Sequence, residues 1–284
     1  MSILFAGDTH GNSRHMAYLF EKAVAHDCAT IFQVGDFGYW PHTDRGKMFL
    51  CSVDAHIQDT GVQVYFIDGN HDNHDALAAM PVSDDGLRYL TVDGGLVHIP
   101  RGMDVYIDDL LVMGYGGAFS IDYKSRVVGE SYWPAEMIDN EHCLMAGHLM
   151  RGVRPDILAT HDAPAGFDLG NGWKAEFHQT NHNRSCLRTL MLTVQAQRVI
   201  CGHWHERKTA EVDRTRIDVL DCDNARDRRD SFMIVDGSND RNGNPVEAEV
   251  SDWQELQRPV IDCAGQPVTP KAPVAVGQGA DGRT

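Results

Sequence analysis

Aspartate, asparagine and histidine recur in this sequence directly after short apolar, β-branched runs. They do so in five fragments: Gly7-Asp8-Thr9-His10-Gly11, Gly35-Asp36, Gly69-Asn70-His71-Asp72, Thr160-His161-Asp162 and Gly202-His203-Trp204-His205. These side chains are oxygen and nitrogen donors. With no cysteine among them they form a hard to borderline set, suited to manganese, iron, magnesium or zinc rather than to copper(I) or an iron–sulfur cluster. In Asp8-Thr9-His10 the alternate side chains of an extended segment point the same way, so the carboxylate and the imidazole are expected to reach one ion together. The same spacing in His203-Trp204-His205 places two rings on one side while Trp204 turns away. Gly7, Gly35, Gly69 and Gly202 each precede a candidate ligand, where a Cβ would hinder close approach. A lone Gly-Asp or Asp-x-His is more often a turn or a cap. Independent turns, however, have no reason to supply one metal-ligand set together.

Such residues need strand ends to hold them. Ser2 to Ala6 reads as a strand, and Met16, Leu19, Phe20, Ala23 and Val24 then follow helical spacing. Thr30 to Val34 and Val62 to Ile67 are further strands, with a helix from Lys47 to Gln58 between them. This βαβαβ order predicts a largely parallel sheet with helices on its faces, whose ligands lie beyond the carboxyl ends of the strands. Four of the five fragments directly follow predicted strands at that end. From Leu87 to Tyr115 short strands alternate with the turns Gly94-Gly95, Arg101-Gly102 and Asp108-Asp109, so the second half of the sheet is expected to be more antiparallel. Helices are predicted over Pro134 to His148 and His182 to Gln195. Strands are predicted over Asp156 to Ala159, Arg198 to Cys201, Ala210 to Val212, Arg216 to Leu220 and Ser231 to Val235. The expected organisation is a domain over 1–236, a C-terminal extension over 237–263 and a flexible tail over 264–284.

Composition bounds the partners. The 284 residues carry 25 Lys plus Arg against 41 Asp plus Glu, a net charge of −16, and no basic patch is evident. Duplex nucleic acid is therefore not an expected partner. Arg226, Arg228 and Arg229 alternate with Asp223, Asp227 and Asp230 and read as solvated surface. No apolar run is long enough for a membrane span and no signal peptide is evident, so a cytoplasmic protein is expected, in the host cytoplasm if phage-encoded. The seven cysteines are scattered and odd in number, which fits reduced thiols. Oligomeric state is not legible.

Taken together, Asp8-x-His10, Gly35-Asp36, Gly69-Asn70-His71-Asp72, His161 and Gly202-His203-x-His205 closely resemble the signature of the calcineurin-like metallophosphoesterases, across residues 7 to 205. The resemblance implies a four-layer α/β/β/α sandwich with mixed sheets that holds two divalent ions. Manganese is the expected metal, with iron, zinc or magnesium as alternatives. By motif, Asp8, His10 and His205 would bind the first ion, Asn70, His161 and His203 the second, and Asp36 both. His71 would be the general acid, with Asp72 orienting its ring. Two ions about 3.5–4 Å apart can bind a phosphoryl oxygen and lower the pKa of a shared water, creating a hydroxide for in-line attack. A histidine suits protonation of the leaving oxygen.

The first motif also looks like that of serine/threonine protein phosphatases. Their second motif, though, carries Asp-Arg-Gly three residues beyond the bridging Asp, and here Asp44-Arg45-Gly46 lies eight residues beyond Asp36. Arg45 is thus either a phosphate contact or the start of a surface helix. Thr160-His161-Asp162-Ala163-Pro164, Gly116 to Asp122 and Ser131 to Glu136 look more like small bacterial and phage-encoded members acting on low-molecular-weight phosphoesters. The expected activity is hydrolysis of small phosphodiesters such as 2',3'-cyclic nucleotides, with a phosphomonoesterase or protein phosphatase as the alternative and a non-catalytic scaffold as the third. His74, one helical turn after His71, is a candidate substrate contact. Tyr39, Trp40, Trp133, Trp173, His178 and His182 lie near the motifs in sequence. Histidines outside the motifs, His15 among them, read as surface or satisfied core.

Overall fold

A computed structural model describes residues 2–91, 93–150, 152–170, 178–239 and 245–247, together with 260–261 and 267–268. The chain opens as β1 (Ser2–Ala6), α1 (Ser13–Ala25), β2 (Cys28–Gln33), α2 (Asp44–Thr60) and β3 (Gln63–Phe66), followed by the short α3 (His74–Ala78). Strands β4 (Arg88–Tyr89), β5 (Leu96–His98), β6 (Asp104–Ile107) and β7 (Leu110–Tyr115) come next, then α4 (Asn140–Leu149), β8 (Ile157–Thr160) and α5 (His178–Val194). Strands β9 (Arg198–Cys201), β10 (Lys208–Val212), β11 (Thr215–Val219), β12 (Phe232–Asn239) and β13 (Pro245–Glu247) complete two sheets. Their orders are β13-β12-β1-β2-β3-β5-β4 and β10-β11-β9-β8-β7-β6.

Alternation along β1 shows how the layers form. Ile3 and Phe5 point between the sheets, where they join Phe32, Val97 and Met233 of the first sheet and Val112, Ile157, Ala159 and Ile200 of the second. Leu4 and Ala6 point the other way, onto Met16, Leu19 and Phe20 of α1 and Phe49 and Val53 of α2. On the far side, Met113, Leu158, Val199 and Ile217 pack under Cys143 and Ala146 of α4 and Leu187, Leu190 and Met191 of α5. Three apolar layers thus hold four layers of secondary structure, the expected α/β/β/α sandwich with mixed sheets.

The second sheet is less antiparallel than its short strands suggest. β7, β8, β9 and β11 run parallel in sequence, and the antiparallel pairs β6/β7 and β10/β11 are its edges. The helix predicted from Pro134 is also broken. Pro134–Glu136 forms one 3-10 turn, Met137 is extended, and Asp139 caps α4 by accepting from the His142 amide. Strand β12 runs past Asp236 and pairs with β13. The tail expected over 264–284 lies outside the described residues apart from Pro267–Val268, which pairs with Val260–Ile261. In the second sheet Arg198, 1% exposed, is paired through Nε with Asp218 Oδ2 at 2.6 Å, a buried charge met by its opposite. No helix among the described residues is long and apolar enough to cross a membrane.

The parallel strands β1, β2, β3, β8 and β9 end at Ala6, Gln33, Phe66, Thr160 and Cys201, so all five fragments emerge at or just after carboxyl ends of strands. That is where loops from several strands can meet.

Candidate metal centre

The loops after β1 and β2 are tied together by backbone. The amides of Thr9 and His10 donate to the Asp36 carbonyl at 3.2 and 2.8 Å. The Asp36 carboxylate, 1% exposed, accepts from the His71 amide at 2.7 Å, which brings in the loop after β3. Asp8 Oδ1 accepts from the His203 amide at 2.9 Å, which brings in the loop after β9. The turns are tighter than an extended Asp-x-His would be. His10, Asp36, His203 and His205 have φ of 45, 55, 68 and 50°, in the left-handed region. Non-glycine residues there are uncommon and cluster at functional sites, so the rings converge through turn geometry rather than strand alternation. Gly202 shows why the residue before a ligand must be small, since a Cβ there would overlap Asp8 Oδ1; one at Gly35, whose φ is +101°, would overlap the His161 ring.

Donor atoms converge as follows. His205 Nε2 lies 3.1 Å and His10 Nε2 3.9 Å from Asp8 Oδ2. His10 Nε2 is 3.5 Å from Asp36 Oδ2, and His161 Nε2 is 3.5 Å from Asp36 Oδ1. Asn70 Oδ1 sits 3.1 Å from His161 Nε2, and the His203 ring lies 5.1 Å from the His161 ring, centroid to centroid. Asp8/His10/His205, His10/Asp36/His71 and Asp8/Asp36/His161 each form a group whose donor atoms could hold an ion. His71 Nε2 is 3.8 Å from Asp36 Oδ2 and belongs to this geometry too. Trp204 turns away as expected, burying its ring and donating through Nε1 to Asp162 Oδ1 at 2.9 Å.

The charges fit a cation. Burial pushes the Asp8 and Asp36 carboxyls up, but the surrounding histidines outweigh it and hold both low, Asp36 far below the usual range. The same carboxylates raise the histidines. Burial pulls His161 down, yet Asp36 carries it up to about 9, and His205 is raised to about 10, chiefly by its bond to Asp8. Two buried carboxylates that draw protons onto their imidazole neighbours are a site in want of positive charge, which divalent ions held by these donors would supply.

Second contacts orient the rings. His10 Nδ1 faces Asp223 Oδ1 at 2.9 Å, and Asp223 Oδ2 accepts from Asn12 Nδ2 at 2.8 Å. Burial pulls His10 down, but the Asp223 and Asp36 carboxylates carry it up to about 11. His161 Nδ1 faces the Val34 carbonyl at 2.9 Å. Both arrangements keep Nδ1–H turned outward and Nε2 turned to the centre. Asp223 therefore belongs to the centre and not to the solvated charge run, where nothing local distinguishes it from Asp227 or Asp230.

Two other expectations change, and Arg45 takes the second of its two alternatives. Asp72 does not orient His71. It is fully buried and accepts from the amides of Gly38, Tyr39 and Gly69 at 2.8, 2.9 and 2.9 Å and of Phe37 at 3.2 Å. Its charge is taken up by the backbone that joins the Asp36 and Asn70 loops. His74 is buried rather than open to substrate, with Nε2 2.9 Å from the Gly69 carbonyl and Nδ1 3.8 Å from Asp68 Oδ2. Arg45 starts the exposed end of α2 and donates to the His10 carbonyl at 2.7 Å, with its guanidinium 5.1 Å from the Trp40 ring. Trp40 Nε1 in turn donates to the His71 carbonyl at 2.6 Å. Tyr39 and Trp133 are buried, and Trp173 lies outside the described residues.

The residue beside His71 comes from elsewhere. Arg126 Nη1 is 2.8 Å from His71 Nδ1 and Nη2 2.9 Å from Nε2, while Arg126 Nε pairs with Asp122 Oδ1 at 2.8 Å. Burial, seconded by this guanidinium, holds His71 below its ordinary range despite Asp36.

The sequence profile of the calcineurin-like phosphoesterases matches residues 1–207, which include every one of the converging fragments. The chain belongs to this family. A calcineurin-like phosphoesterase is a hydrolase that cleaves phosphoesters with divalent metal, and the donor set here fits that chemistry. Among solved structures, TT1561 of Thermus thermophilus shares the fold, at 12% identity and a TM-score of 0.50, over 78% of this chain and 89% of that one. A dimetal phosphatase from Danio rerio is 11% identical with a TM-score of 0.49, over 83% of this chain and 92% of that one. No curated protein matches this phosphoesterase significantly by sequence.

Proposed function

We propose that this phosphoesterase is a phosphodiesterase that works with two divalent ions on small diesters, of which 2',3'-cyclic nucleotides are the first class to test. The observation that carries the proposal is the Asp36 carboxylate. One oxygen lies 3.5 Å from His161 Nε2 and the other 3.5 Å from His10 Nε2, so a single side chain stands between two donor groups. In this reading Asp8, His10 and His205 hold one ion, Asn70, His161 and His203 hold the other, and Asp36 serves both. Bound there, the ions would supply positive charge to the phosphoryl oxygens and lower the pKa of water at the centre.

The chain's own residues do the rest. Arg126 is poorly matched to His71, because a neutral imidazole accepts at one nitrogen only and the second guanidinium contact sets donor against donor. The guanidinium therefore leaves the ring at little cost when a phosphate offers oxygens, and oxyanions are the partners it binds best. His71 then faces the leaving oxygen. Burial holds its pKa below the ordinary range, which makes the protonated ring a stronger acid toward an alkoxide. Arg45 is occupied by the His10 carbonyl and Trp40. Among the described residues only the Arg126 guanidinium contacts the His71 ring, and one such group suits the single negative charge of a diester better than the two of a monoester.

Parallel assays of the manganese-loaded enzyme on a 2',3'-cyclic nucleotide, a 3',5'-cyclic nucleotide and a phosphopeptide test the assignment. A kcat/KM on one of the cyclic diesters at least about tenfold above that on the phosphopeptide is expected, a gap of about 1.4 kcal/mol in transition-state binding. Preference for the phosphopeptide would replace it with a monoesterase.

A further inference from the structure

The loop between β7 and α4 sends a second chain of polar groups into the centre, from behind Asn70. Glu136 is fully buried. Its Oε1 accepts from the Ser120 amide at 2.6 Å and its Oε2 from the Ser120 hydroxyl at 2.8 Å. Asn70 Nδ2 lies 3.0 Å from Ser120 Oγ, and Asn70 Oδ1 faces His161 Nε2 at 3.1 Å. The same loop is clamped to the Asn70 strand end by a second link. Arg101 donates through Nε and Nη2 to Asp68 Oδ2 and through Nη2 and Nη1 to the carbonyls of Glu136 and Met137, while the Gly117 amide donates to the Asp68 carbonyl at 2.9 Å. Glu136 and Asn70 are therefore fixed to one frame.

Counting donors gives this chain a direction. An asparagine amide has an oxygen end, which can bind a cation, and a nitrogen end, which cannot, and the two are nearly equal in size. A serine hydroxyl has one proton. Burial raises the Glu136 carboxyl to about 7, so the chain is set above that pH, where the ionised carboxylate only accepts, claims the serine proton and leaves Ser120 Oγ as an acceptor toward Asn70. Only the Nδ2 end of the amide can satisfy it, and the oxygen end must then face the centre.

We infer that Ser120 and Glu136 are positioning residues that set the amide of Asn70 with its oxygen toward the second metal position. The inference rests on the proposal that Asn70 is a ligand. It gives a role to a buried carboxylate and a buried serine that the proposed reaction does not otherwise use.

Glu136→Gln tests it with almost no change of shape. The Gln oxygen must keep the Ser120 amide, so its NH2 donates to Ser120 Oγ, the hydroxyl proton turns to Asn70, and the amide reverses. Manganese titration by calorimetry should show the second ion binding about 10–100-fold more weakly, as is usual on loss of an outer partner. The first ion should bind normally, and the thermal midpoint of the metal-free protein should stay within a few degrees. Ser120→Ala, which lets the amide turn freely, should weaken the second ion in the same sense and stands in if Glu136→Gln does not fold. Adding Asn70→Asp to Glu136→Gln should restore the second ion, because both ends of that side chain are oxygens. Wild-type affinity for both ions in Glu136→Gln and Ser120→Ala would overturn the inference. So would failure of the double variant to recover where Asn70→Asp alone binds normally. Unchanged second-ion affinity in Asn70→Ala would instead remove the ligand assignment on which it rests.

Discussion

Replacing Asp72 by asparagine separates a backbone clamp from an aide to His71. The carboxylate takes two amides on each oxygen: Gly38 and Tyr39 on Oδ1, Phe37 and Gly69 on Oδ2. An asparagine in its place cannot serve all four, because its NH2 end meets two N–H groups with a donor. Each buried amide left without an acceptor costs about 1–3 kcal/mol, so Asp72→Asn should lose roughly 2–6 kcal/mol. That is a large share of the ~5–15 kcal/mol that holds a typical protein folded. At about 2–4 °C per kcal/mol for a chain of this size, the thermal midpoint should fall by roughly 4–24 °C. Urea unfolding and thermal melts of the metal-free protein read this directly, without interference from ion binding. Because Gly69 and Phe37 lie beside Asn70 and Asp36, the variant should also bind metal less tightly. A wild-type melt together with a selective loss on poor leaving groups would refute the clamp and return Asp72 to His71.

His71→Ala should keep both ions by elemental analysis yet lose about 10²–10⁴-fold in turnover on a poor leaving group, and far less on a nitrophenyl ester. Loss of metal in step with activity would make His71 a ligand instead. His15 offers a pH test on a ring outside the proposed ligand set, though Asp223 and His10 both act on it. Its ring is 2% exposed, neither nitrogen has a hydrogen-bond partner among the described residues, and burial lowers it from 6.5 to about 4. The unfolded chain takes up this proton below 6.5 while the folded protein resists it to about 4, so the stability it contributes is whole above 6.5 and is lost as pH falls toward 4. The loss is on the order of 3 kcal/mol. In urea titrations His15→Leu should gain on wild type across that window, and a gap independent of pH would show that the ring stays solvated.

Local pattern carries the first half of the fold. The helical spacing of Met16, Leu19, Phe20 and Ala23 and the apolar runs around them fall on α1, β1, β2 and β3 to within a few residues. The parallel core of the second sheet is not legible, because its order depends on long-range strand pairing that the predicted strands and helices do not specify. At the centre, glycine and strand-end position single out the residues that converge. The left-handed turns at His10, Asp36, His203 and His205 are not evident from sequence, since the two-residue spacing fits an extended segment equally well. Arg126, Ser120, Glu136 and Asp223 escape sequence reading for another reason. They act across 55, 50, 16 and 213 positions of chain, and although Ser120 and Glu136 lie in stretches that resemble the family and Asp223 in a charge run, nothing local says which distant group each one meets. The expectation for Asp72 fails because adjacency to His71 in sequence says nothing of direction, and its carboxylate turns toward four amides instead.

The central proposal is that one carboxylate serves two ions, and counting metal tests it most directly. Protein purified without chelator and reconstituted with manganese should hold two ions per chain by elemental analysis, and Asp36→Ala, measured beside it, should lose metal from both positions along with hydrolysis. A wild-type chain that saturates at one ion, or an Asp36→Ala variant that keeps two and full activity, would contradict it.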